Sequence, residues 1–168
     1  MTITTERLRL DPLRVEDADE MVAVLGDERL HEFTGGRPAT LAELRTHYAR
    51  LLAGSPKTDE VWLNWIVRRR SDSQPIGTVQ ATLRDGGKTA LVAWVIGVEW
   101  QRQGFASEAA RALVDWLRER GVHELVARIH PAHVASGGVA ARAGLEPTEE
   151  EIGGEQVWRS PGDVRRTR

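Results

Sequence analysis

Hydrophobic and polar positions along this chain change period several times, and each change marks an element. Around residues 5–10 they alternate, placing Leu8 and Leu10 on one face of a strand. From Asp17 to Leu25, Met21, Val22 and Leu25 share one helical stripe that closes near Gly26. Thr40 with Glu43 three residues on is a capping-box signature, predicting a helix from there to Leu52. After the loop Gly54-Ser-Pro-Lys-Thr58, Val61 to Arg68 and Ile76 to Leu83 read as β-type runs. The hairpin signal Asp85-Gly-Gly-Lys88 separates the second of these from the apolar run Ala90-Leu-Val-Ala-Trp-Val-Ile96. That run is apolar on both faces, which predicts a central strand covered on both sides. Ala106, Ala109, Ala110, Leu113, Trp116 and Leu117 recur at helical spacing and predict a helix from Phe105 to Glu119, ended by Gly121. A strand from Leu125 to His130, a short helix from Val134 to Ala143 closed by Gly144, and two strands around Gly153-Gly154 complete the pattern. The order implies an α+β chain, a mixed sheet covered by helices.

The densest chemistry lies where the apolar run meets the next helix. Between them stands Gln101-Arg-Gln-Gly-Phe-Ala106. A strand ending in a glycine loop that opens onto a helix N-terminus makes an anion site, because several N–H groups there lack intrahelical partners and the peptide dipoles add positive potential. Gly104 lets the main chain pass close to a ligand, and the small Ala106 keeps a side chain out of a phosphate's way.

This Gln-x-x-Gly-x-Ala segment resembles the acyl-CoA pyrophosphate loop of the GNAT superfamily of N-acyltransferases. The longer run Gly97-Val-Glu-Trp-Gln-Arg-Gln-Gly-Phe-Ala-Ser-Glu-Ala109 is similar to the branch containing the ribosomal-protein N-terminal acetyltransferases. Thr5-Glu-Arg-Leu-Arg-Leu10 resembles that branch's first strand, and His133-Val-Ala-Ser-Gly-Gly-Val-Ala-Ala-Arg-Ala-Gly-Leu145 its Asn-x-x-Ser…Gly-Phe segment. The likeness implies a mainly antiparallel mixed sheet with helices on both faces. It also implies that the strands at Ala90–Ile96 and Leu125–His130 splay apart, leaving main chain free to pair with a pantetheine arm.

Bulk properties narrow the setting. At 168 residues the chain is expected to form one domain over residues 1–160, with a short basic tail over 161–168 carrying Arg165, Arg166 and Arg168. A chain of this size buries about two-thirds of the surface its unfolded form exposes. Without cysteine there is no thiol nucleophile, disulfide framework or thiolate metal site, which suits a reducing cytoplasm. No apolar run approaches the roughly 20 residues of a membrane span. A net charge of −2 with interspersed signs leaves no general nucleic-acid footprint. Five histidines show no metal-ligand spacing, so no metal is expected.

Acyl transfer from a thioester to an amine needs a neutral amine, a stabilised carbonyl oxygen and a proton for the leaving thiolate. The resemblance implies direct attack with no covalent intermediate. It implies that Val95, Ile96 and Gly97 meet the acyl donor through main chain, one N–H stabilising the carbonyl oxygen. It implies that Gln101, Arg102, Gln103, Gly104, Phe105, Ala106 and Ser107 hold the diphosphate, Arg102 and Gln103 mostly through backbone. Many relatives carry a glutamate base on the central strand. The aligned position here is Leu91, and no carboxylate lies between Lys88 and Gly97. A lysine amine of pKa ~10.4 costs about 4.6 kcal/mol to deprotonate at pH 7, an α-amine of pKa ~7.7–8.0 only roughly 1 to 1.4 kcal/mol. A site lacking a base on that strand is better suited to an α-amine.

Glu99 is either a base acting through water or a solvated loop acid. His133 stands where relatives place an asparagine holding the pantetheine arm; it keeps such a hydrogen bond and joins the proton traffic, or it caps a helix. Ser136 matches the serine proposed in this branch to protonate the thiolate, or it too is a cap. The family's alternative tyrosine falls at Ala140. Glu108 is expected to complement the helix dipole. Gly137-Gly138 points to close cofactor approach or to local disorder. Trp62 and Asn64 share one face of a strand that flanks the acceptor in relatives, with Trp65 on the other, the tryptophans being expected in the core. Trp100 walls the acceptor pocket or covers the core.

The reading is an N-acetyltransferase using acetyl-CoA on a protein α-amine or a small-molecule amine, with a homodimer among its expected states. Another acyl donor such as succinyl-CoA, and a non-catalytic acyl-CoA-binding regulatory module, stay open as alternatives.

Overall fold

A computed structural model of the chain describes residues 1–161, so the basic tail falls almost wholly outside the described residues. Eight strands form one sheet: β1 (Ile3–Thr4), β2 (Leu8–Pro12), β3 (Val61–Arg69), β4 (Pro75–Arg84), β5 (Thr89–Ile96), β6 (Glu124–Ile129), β7 (Glu146–Ile152) and β8 (Glu155–Arg159). Their spatial order is β1-β2-β3-β4-β5-β6-β8-β7, antiparallel throughout except for the β5–β6 pair. Four helices accompany it: α1 (Ala18–Val24), α2 (Leu41–Ala53), α3 (Phe105–Glu119) and α4 (Val134–Arg142).

Local chemistry sets these boundaries much as the pattern predicts. Thr40 accepts from the Glu43 N–H at 3.2 Å while the Glu43 carboxylate accepts from the Thr40 N–H at 3.1 Å, so the capping box opens α2. α3 spans the residues its stripe marks. The connection between α1 and α2, for which the pattern shows no element, holds one 3-10 turn at Glu28–His31, capped by the Asp27 carboxylate.

Alternation along β3 divides the core between the two faces. Trp65 joins the larger cluster beneath α3 and α4, while its neighbour Ile66 joins Leu13, Met21, Val24, Leu44 and Tyr48 beneath α1 and α2. β5 departs from expectation here. Ala90 and Val92 are buried beneath α3, yet on the opposite face Leu91 and Ala93 are half-buried and Val95 is 39% exposed. The strand is central, but α1 packs on β4 and α2 on β3, so their cover stops short of it.

The parallel β5–β6 pairing covers only Thr89–Glu124, Ala90–Leu125 and Leu91–Val126. Beyond Leu91 the strands diverge, while β5 stays paired with β4 as far as Ile96 and β6 with β8 as far as Ile129. The sheet is therefore split by a wedge-shaped gap that opens toward the loop before α3.

Candidate active site

The loop at the mouth of the gap is held in an unusual backbone path. Arg102 has φ +63° and Gly104 φ +82°, left-handed conformations that turn successive N–H groups to one side. Helix α3 begins at once, its first internal bond running from the Glu108 N–H to the Gly104 carbonyl. Among the described residues, no acceptor receives the N–H groups of Arg102, Gln103, Gly104, Phe105, Ala106 or Ser107. Six consecutive free donors at a helix N-terminus form a nest for a polyanion such as a diphosphate.

Side chains outside the loop fix its shape. Arg7 donates from Nη1 to the Gln103 carbonyl (2.9 Å) and from Nε to Glu108 (2.8 Å), and its guanidinium lies 4.3 Å from the centre of the Phe105 ring. Glu108 also accepts from the Arg7 N–H and the Thr5 hydroxyl. Burial opposes ionisation of Glu108, but these bonds outweigh it and hold the carboxyl below its ordinary range. Glu108 is thus an anchor to the N-terminal segment as well as a first-turn acid. The Gln101 carboxamide donates to the Ile96 carbonyl (2.9 Å), tying the loop to the strand end rather than reaching for a ligand. Phe105 is buried, so only its N–H serves the nest.

Donor directions along β5 follow from one bond. The Gly97 N–H donates to the Ile76 carbonyl at 2.8 Å, and alternate residues of an antiparallel strand turn their N–H and C=O groups the same way. Gly97 and Val95 therefore direct their amides to β4, while Ile96 and Trp94 direct theirs into the gap. Of the expected Val95, Ile96 and Gly97, Ile96 is the one whose N–H faces the gap, alongside that of Trp94. Gly97 has a packing reason instead, since a Cβ would lie 2.8 Å from the Trp100 ring and 3.0 Å from the Val24 carbonyl oxygen. Trp100 packs against both core clusters.

The open face of the sheet beside the gap is built in rows. Register places Trp62, Thr82 and Leu91 together, then Asn64, Gln80 and Ala93, then Ile66, Thr78 and Val95. Trp62 and Asn64 thus share the open face, while Trp65 is buried against Trp116 (5.2 Å, edge to face). Trp62 enters neither core cluster; its indole N–H donates to Glu60 (2.8 Å). Across β3, β4 and β5 these rows contain no carboxylate; the third continues to Asp11 on β2, which is paired with Arg9 and Arg68. Glu60 stands at their edge, held below its ordinary pKa first by Trp62 and further by Ser55 and Arg84, which makes it a poor base. Glu99 is exposed on a 3-10 turn (Val98–Trp100), near enough for its charge to act on Arg69.

α4 closes the other side. His133 is its N-cap, accepting the Ser136 N–H on Nδ1 (3.3 Å), and His130 accepts the Ala132 N–H on Nδ1 (3.0 Å). With Nδ1 so used, a neutral His133 ring presents its Nε2–H as a donor. Burial lowers the pKa of His133; the Glu32 charge opposes this and His130 reinforces it. Phe33, from the α1–α2 connection, stacks on His133 (4.5 Å, 25°) and tilts against His130 (5.3 Å). Ser136 is not the cap: its hydroxyl accepts from the Trp94 indole N–H at 3.2 Å. Gly137 has a packing reason, since a Cβ there would lie 3.1 Å from the Trp158 ring.

Three contributors escaped sequence reasoning: Arg7, Trp94 and Phe33. Only Phe33 left a usable signal, being one of two phenylalanines in the chain and isolated in a polar loop. No cluster of three metal-ligating side chains exists among the described residues, and no helix there is long and apolar enough to cross a membrane.

Known proteins match this arrangement. The Acetyltransferase (GNAT) domain family matches residues 7–146. YnaD of Bacillus subtilis strain 168, an uncharacterised N-acetyltransferase, is 24% identical over 146 residues, 86% of this chain and 82% of its own. A GNAT-family acetyltransferase from Bacillus anthracis superposes with a TM-score of 0.78 at 19% identity, covering 95% of this chain and 96% of its own. RimL, a ribosomal-protein α-N-acetyltransferase solved with coenzyme A, superposes with a TM-score of 0.80 at 16% identity, covering 97% and 99%. At such identities the two structures establish the fold.

Proposed function

The chain belongs to the GNAT family of acyl-CoA-dependent acetyltransferases, and from that premise we propose that it moves an acetyl group from acetyl-CoA to a primary α-amine by direct attack. The observation that carries this reading is the run of six unpartnered amides from Arg102 to Ser107, at the mouth of a gap whose β5 edge is unpaired. The nest suits a diphosphate and the free edge of β5 suits the amides of a pantetheine arm.

The residues divide the work as follows. The half-open rows around Leu91, Ala93, Asn64 and Gln80 receive the amine. The Ile96 N–H, aimed into the gap, stabilises the oxygen of the tetrahedral intermediate. As the C–N bond forms and the C–S bond breaks, the nitrogen releases its surplus proton to solvent, the Ser136 hydroxyl donates its proton to the departing sulfur, and solvent reprotonates Ser136. His133, neutral and protonated on Nε2, donates to the acyl donor rather than drawing a proton from the amine. No group in this arrangement is a strong base, which favours acceptors already partly neutral near pH 7: an α-amine rather than a lysine side chain.

A thiol-release assay with acetyl-CoA tests this against peptides with free α-amines, lysine-bearing peptides blocked at the N-terminus, polyamines and aminoglycosides. α-Amines are expected to lead, with rate rising through their own pKa of ~7.7–8.0. A tenfold faster rate on lysine side chains would overturn the acceptor assignment. Coenzyme A binding without turnover on any amine would favour a regulatory binding module.

A further inference from the structure

Trp94 has no part in the chemistry outlined so far beyond its main chain, yet its side chain touches the proposed proton donor. Its indole N–H donates to the Ser136 Oγ at 3.2 Å, joining β5 to the first turn of α4 across the gap. The backbone of Ser136 is fixed as well, through its N–H to His133 Nδ1. Both side chains are half-buried, where a hydrogen bond is less weakened by water than at the surface.

The indole N–H can only donate. A hydroxyl oxygen that accepts this bond keeps its own O–H as the donor toward a further partner, and accepting polarises that O–H and strengthens what it donates. The surroundings favour an anion: Ser136 lies in the first turn of a nine-residue helix. We infer that Trp94 is a positioning residue for thiolate departure, holding the Ser136 hydroxyl with its proton turned toward the sulfur of the acyl donor. This rests on the reading of Ser136 given under Proposed function.

The test is a double-mutant cycle on kcat and on the KM for acetyl-CoA. Ser136→Ala is expected to lower kcat about 100-fold. Trp94→Phe keeps an aromatic ring but removes the N–H; it is expected to lower kcat roughly three- to tenfold, the value of one neutral hydrogen bond, with KM unchanged. In the Ser136→Ala background, Trp94→Phe should then change kcat no further, whereas a merely structural tryptophan would subtract again. Unchanged kcat in Trp94→Phe, or additive losses, would overturn the inference while leaving Ser136 in place. Unchanged kcat in Ser136→Ala would instead overturn the reading beneath it. Independently of any change to the ring, the Trp94 indole N–H resonance should shift when coenzyme A is added, and that response should vanish in Ser136→Ala. A resonance indifferent to coenzyme A in the unaltered protein would also overturn the inference.

Discussion

Arg7 lies almost a hundred residues from the loop it shapes. Its contacts to the Gln103 carbonyl, Glu108 and the Phe105 ring hold a strained path that includes a non-glycine residue at positive φ. Arg7→Ala should therefore weaken coenzyme A binding several-fold by loosening the nest. Gly104→Val should weaken it about tenfold or more, because φ +82° costs a β-branched residue of order 1–3 kcal/mol. Calorimetric titration of both variants checks this, and an unchanged affinity in Gly104→Val would mean that the loop does not grip the cofactor. The glycine was legible as a sequence feature, because only backbone freedom explains it there. The arginine was not: a cation in an amphipathic strand leaves the same trace whether it is solvated or clamps a distant helix.

Element boundaries were the most readable layer, because capping, periodicity and glycine stops act within a few residues. α2 starts at its capping box and α3 fills its apolar stripe. The error at β5 is instructive: apolar residues on both faces predict cover on both, but α1 and α2 lie over β3 and β4 and leave Leu91, Ala93 and Val95 partly open. An apolar floor for a ligand and an apolar core surface are the same string of letters. The end of this strand is also shaped by its neighbour, where a Cβ on Gly77 would lie 2.1 Å from the Val95 carbonyl oxygen. Gly77→Ala should displace that carbonyl and destabilise the fold by about 1–3 kcal/mol, measurable by urea denaturation. No loss of stability would show that the β4–β5 ladder yields freely there.

Across the whole molecule, acidification should remove stability in two stages. Burial depresses the pKa of His133, so the native ring stays neutral while an unfolded ring would take a proton below ~6.5. Its contribution is complete above that value and is lost as pH falls toward the depressed one. Among the acids, Arg29 holds Asp27 and Arg37 holds Glu43 down to about 2, with Glu60, Asp72 and Glu108 also lowered. Their share is complete above the usual carboxylate range and declines from ~4 toward about 2. Thermal melts across pH should show a plateau near neutrality, a shallow step below 6.5 and a steeper fall below 4. A melting temperature that rises on acidification from pH 7 to 5 would contradict the sign.

The brevity of the β5–β6 pairing reaches beyond the reaction. Three rungs of a parallel ladder join one half of the sheet to the other, and beyond them the two strands are not paired with each other. A molecule that lends its thioester arm to such a seam is mortar as much as reagent. Bound there as proposed, it would add its own binding energy to the shared core beneath α3 that already holds the two halves together.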